Sequence, residues 1–449
     1  MSSKSKINMM AKFIRNNFIL IIILILGFFM RFYGISPGFP DYHPDEGTSY
    51  HTAIYMLSNN LRPDRIDYPA GVPLLNLIVY VLFFIPIAIL NLVFTNPNFF
   101  PDFIGVGMKV FTLYKDHIFG PQEINALYWS RYIAALIGGL TILVTYIVAK
   151  KMFNKAIALF TAFFLSVNYL HVLRSHFALP DIYNSFFGAL SLLAAVLLLE
   201  KDTKARYIFV GITASVFLSI KFLPYAFVPF VAVHLLWAYQ KRDWKYLFNR
   251  NFAYSLLAVV FVFLIINPYL FSDLNAFIKR TEYTSSYYLM GKITLRPYDY
   301  FYLFYWGIGP LPSIAVILGA ILMARKHIKN FLLIFFFVAP LFFIMTFYSL
   351  GGQYTRNFVP AIPYLMIFAG YSTYILYLLL KRIEFLPRMV LIVLILIFLN
   401  FSSIKNSFIL SHYYSREWSV IALTRWIEEN LPSNVILRNC QLFLRAYGT

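Results

Sequence analysis

The chain has 449 residues, 60% of them hydrophobic, 20% aromatic and only 13% charged, and its mean hydropathy is +0.69. Water-soluble domains carry about 25% charged residues, so this composition excludes a soluble enzyme and leaves an integral polytopic membrane protein. The formal net charge is +19, but Lys and Arg collect in short gaps between apolar runs, where charges set topology rather than bind nucleic acid. A single cysteine, Cys440, excludes internal disulfides and thiolate metal clusters.

The first apolar run, "FILIIILILGFFMRFYG" from Phe18, follows Lys4, Lys6, Lys12 and Arg15, and no small-residue cleavage site comes after it. It reads as an uncleaved first span with the N-terminus inside. The first outer loop, 35–125, opens on "GFPDYHPDEGTSYHTA", which sets Asp41, Asp45 and Glu46 with His43 and His51 beside a membrane segment. Pro44 suits the first position of a helix running to about Leu57, with Asp45 and Glu46 in its first turn. Further along, the run 72–94 contains Pro86.

Parity decides what that run does. Six basic gaps read as cytoplasmic: Lys4 to Arg15, Lys150 to Lys155, Lys201 to Arg206, Lys241 to Arg250, Arg325 to Lys329, and Lys381 to Arg388. With Glu200 at the edge of the third, they hold twenty Lys or Arg against four acids. Two apolar runs, 72–94 and 126–149, separate the outer residues 35–71 from the inner charges of 150–155, so one of them cannot cross. The run 72–94 is expected to dip into the outer leaflet or lie along it. Spans then alternate at 18–34, 126–149, 156–172, 182–199, 207–221, 225–239, 252–271, 301–323, 331–349, 359–380 and 389–404. The expected fold is all-α and polytopic, a transmembrane domain over 1–404 with about eleven spans and the C-terminus outside. The tail 405–449 holds an amphipathic helix and a strand-like stretch in "SVIALTRWIEENLPSNVILR", expected to open an outer domain that this chain does not complete.

This topology gathers the unusual polar residues on the outer face. The first loop carries Asp41, His43, Asp45, Glu46, Arg62, Asp64, Arg65 and Asp67, and "RSHFALPD" carries Arg174, His176 and Asp181. "LSIKFLPY" adds Lys221, the outer loop 272–300 adds Arg296 among five tyrosines, and "GGQYTRNFVPAIPY" adds Arg356. Each has a plain structural alternative. The macrodipole favours acids in a first helical turn, Asp181 suits a helix cap, and Lys221 either snorkels to headgroups or meets an anion. Arg356 would face anionic headgroups, and the tyrosines would form an interfacial belt. The dipole does not explain why Tyr50 and Ala53 share a helical face with Glu46, or why Asp41 and His43 crowd in. Carboxylates and cations converging beside lipid suit a substrate with a lipid tail and a phosphate head.

Taken in order, "DEGTSYHTA", "DYPAGVPLLN", "SRYIAALIGGLTILVTYIVAKKMF", "RSHFALPDIYNSFF", "GITASVFLSIKFLPY" and "RNFVPAIPYL" resemble the GT-C superfamily of membrane glycosyltransferases. The nearest likeness is to the protein O-mannosyltransferase and aminoarabinose-transferase branch, and it runs from about 18 to 380. One departure stands out: "YPAGVP", preceded by Asp67, replaces a His-Pro-Pro or Lys-Pro-Pro. The resemblance implies the GT-C fold, with juxtamembrane helices in the first outer loop. It also implies transfer of a sugar from a dolichyl- or undecaprenyl-phosphate donor to a hydroxyl on a lipid, glycan or protein acceptor, at the extracytoplasmic face. Short loops favour a bacterial or archaeal plasma membrane.

Carried over residue by residue, Asp45 is the general base, and Glu46 orients the acceptor or its own helix. Asp181 completes a carboxylate set holding either a basic side chain or, with Asp45, a divalent cation (Mg, Mn or Zn). Lys221 and Arg356, with Arg296 behind them, bind the donor phosphate. Asp41, His43, Tyr50, Asp67 and Arg174 contact substrate. Direct displacement inverts the anomeric centre. The alternative, a polytopic secondary transporter or lipid flippase, would favour inverted repeats and charges at mid-depth, whereas here the charges gather at one face.

Overall fold

The computed structural model describes residues 3–35, 43, 45–66, 68–95, 126–221, 224–271, 274–289, 297–347, 355–381, 387–416 and 419–430. Among the described residues the chain is helical, without strands. Helix α1 (Ser3–Phe32) carries the first apolar run. In the first outer loop, α2 (Gly47–Ser58) starts just after Asp45 and Glu46 rather than enclosing them in its first turn. Pro86 does not end the helix: α3 (Gly71–Val79) passes through a π-helical turn (Tyr80–Phe84) into α4 (Ile85–Thr95). Proline lacks an N–H and its ring crowds the carbonyl four residues back; the wider turn ahead of it relieves that contact.

The rest of the chain forms α5 (Ala126–Met152), α6 (Lys155–Val167), α7 (Tyr169–Ser175), α8 (Pro180–Glu200), α9 (Lys204–Ile220) and α10 (Val228–Lys241). Then come α11 (Phe252–Ile266), α12 (Leu274–Leu289), α13 (Pro297–Tyr302), α14 (Pro310–Lys326), α15 (Ile328–Phe347), α16 (Ile362–Leu380), α17 (Arg388–Tyr414) and α18 (Ser419–Asn430). Among the described residues, five helices are long and apolar enough to cross a membrane, or up to seven if each of two bent pairs is one span. Shorter apolar helices lie at Asn16–Phe32, Gly71–Ile87 and Ile328–Phe343. Large apolar side chains such as Ile25, Leu82, Phe261 and Phe398 point outward, a surface that lipid rather than water tolerates. The chain is an integral membrane protein.

Two segments expected to be single spans are broken. The 156–172 segment bends by 58° between α6 and α7, and the 301–323 segment turns by 104° ahead of α14. The second turn falls at Gly309, whose φ of +99° a side chain would strain. A break inside a bilayer frees carbonyls that lipid cannot satisfy. Helix α17 supplies the donors. Ser403, Ser407 and Ser411, one turn apart and buried, donate their Oγ hydrogens to Ile308 O (2.9 Å), Val167 O (3.0 Å) and Met30 O (2.8 Å). These are the carbonyls at the second break, at the first break, and near the end of α1. For that reason α17 continues to Tyr414, ten residues past the domain boundary expected at 404.

Arg31 reinforces the first break. Fully buried in α1, it donates to Leu165 O (3.0 Å) and Ser166 O (2.9 Å) in the last turn of α6, and contacts His171 Nδ1 at 2.9 Å. A cation at a helix C-terminus is favoured by the macrodipole, which offsets part of the cost of an intramembrane arginine.

Candidate active site

Antiparallel helices bring distant residues to one end of the bundle. Helix α8 begins at Pro180, a favoured first helical residue, so Asp181 lies in its first turn. Helix α9 runs back to the same end and stops before Lys221. Helix α3 is seated on that end: a Cβ on Gly71 would collide with the carbonyl oxygen of Ser219. The Ala70 N–H donates to Asn267 Oδ1 (3.0 Å), and Asn267 Nδ2 donates to Ser219 Oγ (3.1 Å).

Glu46 locks the first loop to this end. Its side chain and that of Arg131 on α5 are both 0% exposed. Arg131 grips the carboxylate in a fork, Nε to Oε1 at 3.0 Å and Nη2 to Oε2 at 2.8 Å. The backbone N–H of Ala178 donates to Oε1 (2.9 Å) and that of His43 to Oε2 (3.2 Å). One carboxylate therefore ties together α5, the turn leading to Asp181 and the loop bearing Asp45. Buried in these contacts, Glu46 positions the loop.

Above this lock the charged residues meet. Asp45, whose side chain is 47% exposed, receives a hydrogen bond from Arg356 Nη1 at 2.8 Å. The same Nη1 lies 3.0 Å from His43 Nε2. The Asp45 backbone N–H meets the other ring nitrogen, Nδ1, at 3.1 Å, with Asp45 Oδ2 3.8 Å from it. A neutral imidazole accepts through one nitrogen only, so it takes one of these two donors at a time. Burial first, and the Arg356 guanidinium second, hold the His43 imidazole below its usual 6.5. Lys221 pairs with the buried Asp181 and lies 3.4 Å from Asn357 Oδ1. Arg356 and Arg174 also act on Asp181 through space. Arg174 lies over Phe177 at 5.3 Å, and its buried Nε has no hydrogen-bond partner among the described residues.

Sequence reasoning thus named Asp45, His43, Arg174, Asp181, Lys221 and Arg356, and the fold brings these six together. Tyr50 lies against His51 (ring centroids 4.0 Å apart, planes tilted by 34°) and packs against the small apolar cluster of Ala53, Met56 and Tyr80. Asp41, Asp67 and Arg296 lie outside the described residues. Arg131, Asn357 and Tyr68 were missed as site residues. Arg131 carried a usable signal, an arginine at the head of an apolar run. Tyr68 interacts with Asp181, Arg356 and Asp45, and burial foremost pushes its hydroxyl up to about 12. Among the described residues Asp45 and Asp181 are each paired with a basic side chain, and no group of three or more His, Cys, Asp or Glu closes on a point.

Comparison with known proteins fits this architecture. A family model of dolichyl-phosphate-mannose-protein mannosyltransferases matches residues 118–271. Dolichyl-phosphooligosaccharide-protein glycotransferase 2 of Pyrococcus furiosus is 35% identical over 81 residues, 18% of this chain and 11% of that protein. The oligosaccharyltransferase AglB of Archaeoglobus fulgidus, solved with an inhibitory peptide and a dolichol-phosphate, superposes over 92% of this chain with TM-score 0.57 and 12% identity. The A. fulgidus enzyme has also been solved with zinc and sulfate (TM-score 0.57, 13% identity, 92% of this chain). ArnT from Cupriavidus metallidurans, bound to undecaprenyl phosphate, covers 94% of this chain with TM-score 0.60 and 16% identity. The chain spans 55% and 58% of the two archaeal structures and 81% of ArnT. The chain thus shares its fold with these membrane glycosyltransferases, and the family match runs from the end of the first loop through α11.

Proposed function

We propose that the chain is a glycosyltransferase that moves a hexosyl or pentosyl group from a polyprenyl phosphate to a hydroxyl acceptor. The observation that carries this reading is the charge balance of the cluster. Among the described residues Glu46 pairs with Arg131, while Arg174, Lys221 and Arg356 converge on Asp45 and Asp181. Three cations gathered at one point are groups suited to phosphate. Its neighbours in fold hold polyprenyl phosphates, which supports the same choice of donor.

Before the donor binds, Arg356 holds Asp45. The donor phosphate competes for that guanidinium and for Lys221 and Arg174, and so releases the Asp45 carboxylate. Asp45 accepts the proton of the acceptor hydroxyl as its oxygen attacks the anomeric carbon. The bond from that carbon to the phosphate oxygen breaks, its electron pair stays on the phosphate, and the cations stabilise the charge that builds there. Displacement in one step inverts the anomeric centre. The accompanying topology is eleven spans with α3 and α4 juxtamembrane, the N-terminus inside, and the cluster on the extracytoplasmic face of a bacterial or archaeal membrane.

The test is incubation of the purified chain with a panel of radiolabelled polyprenyl-phosphate sugars and hydroxyl acceptors. Consumption of donor with release of polyprenyl phosphate supports the reading. Movement of intact donor across a vesicle membrane without its cleavage would make the chain a flippase instead.

A further inference from the structure

We propose that the end of the bundle opposite the charged cluster binds an anionic phospholipid by its headgroup. The proposal rests on the chain being embedded in a membrane and not on the transfer reaction. Helix α8 runs from Asp181 to Glu200 over about 30 Å, the thickness of a bilayer's hydrocarbon core. At its far end lies a cavity of about 910 Å³ whose lining includes Lys204, Asp243, Lys245, Arg250, Tyr254 and Leu257.

The charges in this cavity are unbalanced. The Asp243 side chain accepts from the Lys245 N–H at 2.9 Å, capping its own turn. Neighbouring Asp202 is taken by the side-chain amides of Asn249 (2.9 Å) and Asn251 (3.3 Å). Lys204 lies over the Tyr254 ring at 5.2 Å, and none of Lys204, Lys245 or Arg250 is in an ion pair among the described residues. Three cations against Asp243 and the adjoining Asp202 leave an excess of one positive charge. Lys204 also opens α9, where the helix dipole already disfavours a cation. The ring contact with Tyr254 offsets part of that cost, and an anion bound there gains from both the lysine and the helix terminus.

The cavity's shape selects the source of the anion. From the basic rim it descends along α11 to Leu257, which is 66% exposed toward lipid. Trp244 and Phe248, 73% and 89% exposed, flank the rim as interfacial aromatics do. A phosphate at the rim with an acyl chain along Tyr254 and Leu257 uses the whole cavity; a free anion uses only the rim.

The experiment is native mass spectrometry of the full chain released from micelles containing equal phosphatidylglycerol and phosphatidylcholine, with inorganic phosphate as competitor. The expected result is retention of phosphatidylglycerol at least tenfold over phosphatidylcholine. Retention should be lost in the Lys204→Gln, Lys245→Gln, Arg250→Gln triple variant and kept in Lys204→Arg, Lys245→Arg, Arg250→Lys. Equal retention of the two lipids overturns the proposal on the unaltered chain alone, even if the glutamine variant fails to fold. Unchanged retention in the glutamine variant, or displacement of the lipid by inorganic phosphate, overturns it as well.

Discussion

Glu46→Gln is the most informative single change in the lock beneath the cluster. Glutamine keeps the shape of the side chain but removes its charge, and turns an amide toward the N–H groups that now donate to Oε1 and Oε2. Arg131 would stay fully buried without its counter-charge. Removing one partner of a buried ion pair costs about 3–5 kcal/mol. An unfolding entropy of about 2.1 cal/mol/K per residue, taken over 449 residues, means each kcal/mol moves the melting temperature by about 1 °C. The expected fall is therefore about 3–5 °C, read by thermal unfolding of the purified protein in detergent. Pairing the change with Arg131→Met should recover about 2 kcal/mol or more, because the charge is no longer orphaned. Single changes that each cost under about 1 kcal/mol, the range of exposed pairs, or a double variant equal to their sum, would refute the lock.

Lys221→Ala and Arg356→Ala should each weaken binding of a polyprenyl-phosphate donor. Loss of a hydrogen bond to a charged group costs about 1.5–3 kcal/mol, or roughly 10- to 150-fold in affinity; unchanged affinity in both moves the phosphate site elsewhere. His43 titrates below its usual 6.5 in the folded chain, so the unfolded chain takes up a proton first on acidification. Its contribution to stability is complete above that value and falls away as pH drops through the folded value. Melting temperatures from pH 7.5 to 5 should decline less steeply in His43→Asn, and parallel curves would contradict this. Ser407→Ala removes the donor to Val167 O and should cost about 1–3 kcal/mol for an unsatisfied buried carbonyl. A melting temperature unchanged by this substitution would mean that α17 does not support the first break.

Much of the site was legible because its residues are costly to place. Charges beside lipid need a reason, and that cost, together with the family resemblance, singled out Asp45, Asp181, Lys221 and Arg356. The lock under them was less visible. Glu46 and Arg131 are 85 residues apart, and nothing local distinguishes a carboxylate that faces substrate from one that holds an arginine. The broken helices were also hidden. Asn168 and Gly309 look like tolerable interruptions of apolar runs, since hydropathy averages over a window and a bend depends on what satisfies the freed carbonyls. Those donors sit far along the chain on α17, where serines at four-residue spacing look like the fading end of a span. Their hydroxyls face inward, so the helix runs on.

The measurement that bears most directly on the proposed reaction separates donor binding from turnover in Asp45→Asn. Asparagine no longer competes as a carboxylate for Arg356 and cannot take the acceptor's proton. The variant should bind a polyprenyl-phosphate sugar at least as tightly as the unaltered chain, yet release no polyprenyl phosphate when acceptor is added. Release at the normal rate would contradict Asp45 as the base, and loss of donor binding would contradict the competition between carboxylate and phosphate for Arg356.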